Sequence, residues 1–406
     1  MNPKKLFPVF TIDLVASLKT IIMFLVFLGS GGVAGIFNAM AINVMTLLFV
    51  VTLMWVNRTY LMHVKLLVVT MSIIGIGLFN MVLTRSPFSE YIGIFGRVIT
   101  VALLITAFRN DYKDIAKYLV KVLQLIVVLA TINFLLYMLV PGIFVMLKSQ
   151  SGFPVNTIGL IFNYYSELSI NGWVIPRNQG IFWEPGVLQI PVNMLIYYRL
   201  IEENRSIKSI FLPVFILFTT FSTTGFIIFA IILFFKFKST FSLRGKGLLR
   251  TLGMIVIISM FIPLLYMEVN AKFNEPGKNI SSLARTYDLL MAARIATQYP
   301  WFGIGLNEER NTALMKMQNV QVDGLETETR GNTNSILQFF VNWGVPVSLI
   351  LIFALYKQQI FPHRFCFFIL IMLAFFSEPL VGVFLMILLM LSSIKLPIAS
   401  KAVRSS

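Results

Sequence analysis

SIFLPVFILFTTFSTTGFIIFAIILFF, residues 209–235, runs for 27 residues without a charge. Arg205 and Lys208 stand before it, and Lys236 and Lys238 stand after it. One long tilted helix could cross a membrane with this length. That reading leaves basic residues on both faces, whereas Lys and Arg collect on the cytoplasmic face. Ser222-Thr-Thr-Gly225 interrupts the run near its middle. The stretch therefore reads as a helical hairpin that enters and returns, with its tip pointing outward. Each arm would reach only ~20 Å at 1.5 Å per residue, short of a ~30 Å hydrocarbon core. Such a tip belongs in a watery recess lined by protein. Residues 365–391 repeat the pattern between Arg364 and Lys395, with Glu378 as the lone charge and Ser377-Glu-Pro379 as the break.

The rest of the 406 residues suits that reading. Hydrophobic residues make up 57% and charged residues only 12%, which excludes an ordinary soluble protein. Apolar runs predict further spans at about 9–28, 35–56, 64–83, 92–108, 118–140, 184–200, 248–267 and 335–356. The first follows Lys4 and Lys5 and lacks a small-residue cleavage site, so it reads as a retained helix. The single cysteine, Cys366, can form neither an internal disulfide nor a thiolate cluster, and reads as packing.

These spans give about twelve helical segments with both termini in the cytoplasm. The inner segments then hold 21 Lys and Arg against five acids, and the remainder, with Lys19, is balanced. The whole excess of +16 thus falls on one face. That placement points to anionic membrane lipid as its partner and away from nucleic acid. The organisation is N-terminal spans over 1–140, an outer loop over 141–183, and central spans over 184–267 that include the hairpin 209–235. A large outer loop over 268–334 follows, then C-terminal spans over 335–406 that include a hairpin at 365–393.

The outer side carries the chemistry-bearing residues. His63 and His363, the only histidines, both fall on the inner side, so no outer histidine is available as base or ligand. The close pair Asp111 and Asp114 is inner as well. No metal site and no cofactor is expected. The outer candidates are carboxylates and arginines. Arg177-Asn-Gln-Gly-Ile-Phe-Trp-Glu184-Pro185-Gly186 sets a cation and a carboxylate before a helix start. Arg177 reads as a ligand for an anion or as an interfacial anchor. Glu184 reads as a reactive carboxylate or as a first-turn acid favoured by the helix dipole. In the large loop, residues 282–299 have helical apolar spacing and carry Arg285 and Arg294, which read as ligands or as a solvated face. Pro300-Trp-Phe-Gly303-Ile-Gly305 stops that helix. Asn332 and Asn334 read as substrate contacts or as caps. Arg85 and Arg97 read as interfacial anchors. Glu378 stands out because a carboxylate at membrane depth is costly.

From residue 177 onward these motifs, in this order, resemble the O-antigen polymerase and ligase superfamily of bacterial envelope glycosyltransferases. Arg-x-x-Gly-x-Phe-x-Glu-Pro-Gly at 177–186 looks like its motif before a helix. Residues 217–225 resemble its Leu-Thr-x-Ser-Arg-Gly turn, with Thr223 or Thr224 where that arginine stands. Arg285 with Pro300-Trp-Phe-Gly-Ile-Gly-Leu306 is similar to its outer-loop signature, and the Arg294 to Gly305 spacing resembles one of the polymerases. Asn334-Ser-Ile-Leu-Gln with Gly344 resembles a motif in which a histidine precedes the asparagine. Here that position is Thr333, which favours the polymerase branch over the ligases.

The resemblance implies an all-α, GT-C-like polytopic protein of the bacterial inner membrane with short helices in its large outer loop. It implies a metal-independent transferase that uses a polyprenyl-diphosphate-linked oligosaccharide as donor and acceptor, with a chain-length regulator and a flippase as possible partners. Arg177, Arg285 and Glu184 become the candidate catalytic residues. Arg294, Glu378, Asn332, Asn334, Trp183 and Trp301 become candidate substrate contacts, with Trp173 as a further aromatic. Diphosphate suits arginine through bidentate, charge-assisted bonds. Two other readings stay open: a ligase that moves the glycan to a lipid core, and a transporter of lipid-linked units, which the paired hairpins suggest.

Overall fold

The structure, a computed structural model, describes residues 13–148, 154–164, 167–170, 173–238, 279–317, 334–380 and 382–398. Helices α1 (Leu14–Leu28), α2 (Val33–Phe37), α3 (Ala39–Asn57), α4 (Val64–Thr84), α5 (Phe88–Ala107) and α6 (Tyr112–Leu139) open the fold. Five short strands follow: β1 (Val145–Lys148), β2 (Pro154–Ile158), β3 (Phe162–Tyr164), β4 (Glu167–Ile170) and β5 (Trp173–Pro176). Then come α7 (Pro185–Tyr197), α8 (Phe211–Thr220) and α9 (Thr223–Phe237), then α10 (Asn279–Gln298) and α11 (Glu308–Met317). The described part closes with α12 (Ser335–Lys357), α13 (Arg364–Ser377) and α14 (Phe384–Leu391).

Five of these helices, α3, α4, α5, α6 and α12, are long and apolar enough to cross a membrane. Helices satisfy their own backbone, as lipid requires. The chain is a helical membrane protein. The expected span at 248–267 lies outside the described residues. Both uncharged stretches are interrupted: α8 stops at Thr220 and α9 starts at Thr223, while α13 stops at Ser377 and α14 starts at Phe384. The arms measure roughly 15, 22, 21 and 12 Å, each too short to cross alone.

The helices alternate between two ends. At one end, Lys19 pairs with Asp114, and Asn57 Nδ2 donates to the Ala107 carbonyl at 2.9 Å. There too, the Tyr112 hydroxyl donates to the Ile394 carbonyl at 2.8 Å, and Lys236 Nζ donates to the Leu200 carbonyl at 2.9 Å. His363 meets Glu202 at the same end. Lys19, counted above with the charge-balanced remainder, joins the basic end because its long side chain reaches back along α1 to the first turn of α6. At the opposite end lie the two hairpin breaks, the strands, α10 and α11.

Three expectations change. Helix α1 begins at Leu14, where the Asp13 carboxylate caps Val15 and Ala16 N–H, so Asp13 precedes the helix. Helix α5 begins four residues early, at Phe88 behind Pro87. Residues 141–183 hold strands that an all-α reading omits. Strands β1, β2 and β3 form an antiparallel sheet, and β4 pairs with β5. Gly159 and Leu160, at φ 62° and 61°, turn the chain between β2 and β3. Strands of three to five residues carry too few positions for periodicity to reveal them, and their pairing is settled by the partner strand.

Candidate functional site

The site region begins where residues 177–186 enter α7. Val33 N–H donates to the Ile181 carbonyl at 2.9 Å and Trp183 N–H to the Gly31 carbonyl at 3.2 Å, so this segment lies strand-like against the turn after α1. Asn178 anchors its other end. Its Nδ2 donates to the Ala130 carbonyl at 2.8 Å and to Thr219 Oγ1 at 3.1 Å, while its Oδ1 accepts from Asn133 Nδ2 at 3.0 Å. The Asn178, Thr219 and Asn133 side chains are all buried, and their hydrogen bonds tie this segment to α6 and the end of α8.

Arg177 is positioned by that anchor. Its Nε donates to the Thr220 carbonyl and its Nη2 to the Phe221 carbonyl, each at 3.1 Å. These carbonyls end α8, where no following turn can satisfy them, and the guanidinium matches both their geometry and the negative end of the helix dipole. Phe221 sits at φ 48°, and Ser222 Oγ then accepts from Gly225 N–H at 3.2 Å to start α9. A cation from the 177–186 segment therefore lies over the end of α8, directly before the 222–225 turn. Gly225 lets this tip close on α7: a Cβ there would lie 3.0 Å from Gln189 Cβ. Asn193 Nδ2 bonds the Gly225 carbonyl at 3.1 Å.

The second break meets the same helix at its start. Pro185 occupies the first position of α7, where its missing N–H costs nothing. Gly186 follows, and a Cβ built there would lie 1.9 Å from Glu378 Oε1. The Glu378 carboxylate is thus seated directly on the first turn of α7, at the positive end of the dipole, and is 2% exposed. Its carbonyl accepts from the hydroxyl of Ser335, which in turn accepts from Leu380 N–H. Ser335 is the first residue of α12, and Asn334 Oδ1 caps that helix through Ile336 and Leu337 N–H, both at 3.0 Å. Ser30 Oγ accepts from Leu385 N–H at 2.9 Å and fixes the start of α14.

The glycine-rich segment after α10 forms a third junction. Helix α12 is broken at Gly344, which adopts φ 75° and ψ 173°. The break exposes carbonyls of the preceding turn. Ile304 N–H donates to the Val341 carbonyl at 2.8 Å and Gly305 N–H to the Asn342 carbonyl at 3.2 Å, while Val345 N–H donates to the Pro300 carbonyl at 2.7 Å. Gly303 and Gly305 sit at φ 65° and 80°, and a Cβ at Gly303 would lie 2.3 Å from the Val341 carbonyl oxygen. Asn80 Nδ2 binds the Phe302 carbonyl at 2.6 Å, and the Tyr91 hydroxyl receives Leu306 N–H at 3.2 Å. The segment is a backbone interlock, and its glycines tie the end of α10 to the broken turn of α12.

Among the candidates, the structure gathers Arg177, Glu184 and Glu378 around the start of α7 and the tip of α8 and α9. Glu184 is the N-cap residue, yet its side chain makes no cap hydrogen bond and is exposed. Trp183 is half-buried beside it, and Trp301 is 71% exposed in the turn after α10. Arg294 lies on the exposed side of α10, whose buried face of Tyr287, Met291 and Ile295 packs with Ile304 and Val341. Tyr287 is held above the ordinary phenol range by burial and by Asp288 beside it. Arg285 falls on the backbone of α10, while its side chain, like Asn332, lies outside the described residues. Asn334 is a helix cap. Ser335, Asn178, Asn80 and Ser30 escaped the sequence reading. Polar residues within apolar runs were the available signal.

With this geometry in place, a comparison by family adds one finding. Residues 209–352, about a third of the chain, match the family model described as O-antigen ligase. The match supports the O-antigen polymerase and ligase superfamily, membrane proteins of glycan assembly, without separating its branches. It spans the first hairpin, Arg285, the glycine interlock and Asn334. No curated protein matches the chain.

Proposed function

We propose that the chain is a membrane glycosyltransferase that polymerises polyprenyl-diphosphate-linked oligosaccharide repeat units at the outer face of a bacterial inner membrane. The observation that carries this reading is the segment that enters α7: it ends in an exposed carboxylate, Glu184, and begins with an arginine held over a hairpin tip, at the same end as α10 and α11 of the matched segment. A charged, water-accessible junction at one end of an apolar bundle suits a substrate whose tail lies in lipid and whose head is a phosphorylated sugar.

In the proposed reaction, the terminal hydroxyl of one lipid-linked unit attacks the anomeric carbon of another. Glu184 takes the hydroxyl proton as the new bond forms. The bond from that carbon to the diphosphate oxygen breaks, and polyprenyl diphosphate leaves with the electron pair. Its growing charge calls for cations fixed in advance, the role assigned to Arg177 and Arg285, with Arg294, further along α10, as a third cation. Glu378 supports from beneath by holding the start of α7. Trp183 and Trp301 offer faces to sugar rings.

The ligase reading keeps one observation in its favour, the description of the matching family model. Purified full-length protein given a defined lipid-linked repeat unit separates the two. Polymerisation yields a ladder of products with several repeats, and a chelator leaves the ladder intact. Single transfer to a lipid-core acceptor without a ladder assigns the ligase. Arg285→Ala and Arg177→Ala should keep the protein in the membrane and abolish the ladder, and normal ladders from both variants would end the assignment.

A further inference from the structure

One charged residue on a membrane-spanning helix takes no part in the junctions above. Arg97 is the tenth of the 20 residues of α5, roughly 14 Å from either end at 1.5 Å per residue. The sequence alone reads it as an interfacial anchor, but α5 starts at Phe88 and carries it to mid-helix. A guanidinium at that depth is costly and ordinarily pairs with a carboxylate or carbonyl. This one does not. Its Nε is sealed from solvent with no hydrogen bond, and no hydrogen bond or ion pair of Arg97 is present among the described residues.

Its direction is informative. Helical side chains lean toward the N-terminus, which for α5 is the end carrying the hairpin breaks. Arg97 Nη2 lies 3.8 Å from the Cβ position of Gly93, one turn closer to that end. A Cβ at Gly93 would meet nothing else within 4 Å, and one at the exposed Gly96 would meet nothing within 4 Å, so the two glycines leave a smooth, open surface on this part of α5. Ile94, on the adjoining stripe, packs against Gly382 in the break after Glu378. Glu90 lies on the Arg97 stripe two turns outward, about 10 Å of helix rise away, too far to neutralise it. The half-buried guanidinium thus extends along α5 toward the end of the bundle that carries the proposed site, over a surface bordered by glycine, on the stripe next to Ile94 and the second hairpin tip.

We infer that Arg97 is an anion-binding residue that takes a phosphate group of a membrane-embedded ligand. Its geometry suits the diphosphate that joins a polyprenyl tail to its glycan, which would bring a lipid tail along α5 and a charged head to the glycine-bordered surface beside the guanidinium. A phospholipid headgroup offers the same chemistry. This inference rests on the proposed donor, but its test needs no turnover. The charge is kept at a cost to the empty protein, so its removal has a signature that a structural arginine would not show.

The test uses full-length protein in nanodiscs of phosphatidylcholine, titrated with polyprenyl diphosphate or with phosphatidylglycerol. Arg97→Met should leave the melting temperature of the unliganded protein unchanged or higher. It should weaken polyprenyl diphosphate binding at least tenfold, and Arg97→Lys should recover part of the loss. Loss confined to the diphosphate assigns the site to the donor, and equal loss of phosphatidylglycerol assigns it to a phospholipid headgroup. Unchanged affinity for both ligands in Arg97→Met overturns the inference, as does a large fall in melting temperature without ligand. A protein that binds polyprenyl diphosphate through Arg97 yet never extends a glycan defeats the polymerase reading alone. A protein that extends glycans with Arg97→Met and binds normally defeats this one alone.

Discussion

The two interrupted hairpins solve one problem with opposite charges. At the first tip, α8 ends and presents carbonyls, and a cation, Arg177, covers them. At the second tip, a carboxylate, Glu378, is laid against the starting turn of α7. In each case the sign of the plug follows the pole of the helix it meets. Both plugs come from outside the helix they cap, so each also ties two parts of the chain together. The difference lies in burial. Glu378 is almost sealed, whereas Arg177 is only half-buried. The first tip can face a ligand, and the second reads as foundation.

That contrast can be broken at the second tip first. Gly186→Ala puts a methyl group into the Glu378 carboxylate, and a buried charge has little freedom to move. Overpacking with displacement of a sealed carboxylate should cost about 3 kcal/mol or more. The protein should fail to accumulate, as measured by fluorescence-detected size exclusion, and a second change, Glu378→Ala, should restore part of the yield by making room. Wild-type yield from Gly186→Ala alone would mean that the two tips are equally open.

Arg177→Ala tests the first tip. The loss of two charge-assisted bonds at a half-exposed site should cost about 1–2 kcal/mol, a modest fall in melting temperature. Elongation should vanish all the same, because a cation on the exposed side is removed as well. A stability loss as large as that of Gly186→Ala, with activity surviving in the fraction that folds, would make Arg177 a plug and nothing more. Gly225→Ala comes next. Its Cβ would meet Leu217 Cδ1 at 2.9 Å, a tip that can yield, and Gln189 Cβ at 3.0 Å, which moves only with α7 itself; this clash is offset in part because alanine favours a helix by about 1 kcal/mol over glycine. The net change in stability should stay within about 1 kcal/mol. Trp301→Ala, at an exposed turn away from both tips, should alter stability by under about 0.5 kcal/mol and raise the KM for the glycan donor severalfold.

Much of this comparison was legible beforehand. Basic flanks and a central break were enough to read residues 209–235 as two arms, because chain charge and membrane thickness both constrain the answer. The candidate stretch 177–186 was legible for a similar reason, since charges are rare in this chain. The occupants of the tips were not. Nothing near Gly186 in the chain announces a contact with Glu378, which lies 192 positions away. Glu378 stood out only as a costly charge. The segment 300–305 showed its glycines plainly, yet their partner, the broken turn before Gly344, is a backbone surface that side-chain patterns do not encode. Asn334 had two open readings, and the structure supplies the cap; the sequence could not choose, because asparagine serves both purposes equally well.

The interlock of Gly303, Gly305 and Gly344 also bears on how such a chain can evolve. Each glycine occupies a backbone region that other residues resist, and Gly303 and Gly344 each face the other's strand of backbone within 2.7 Å of where a side chain would begin. At Gly303 and Gly344 no replacement can be absorbed by a neighbouring side chain, because the neighbours are main chain, while a side chain at Gly305 would run into the hydroxyls of Ser86 and Thr84, which bond each other. Relatives that keep the break in α12 should therefore carry all three glycines or lose them together, as one inherited unit. Trp301, which points away from the junction, is free to drift with the substrate.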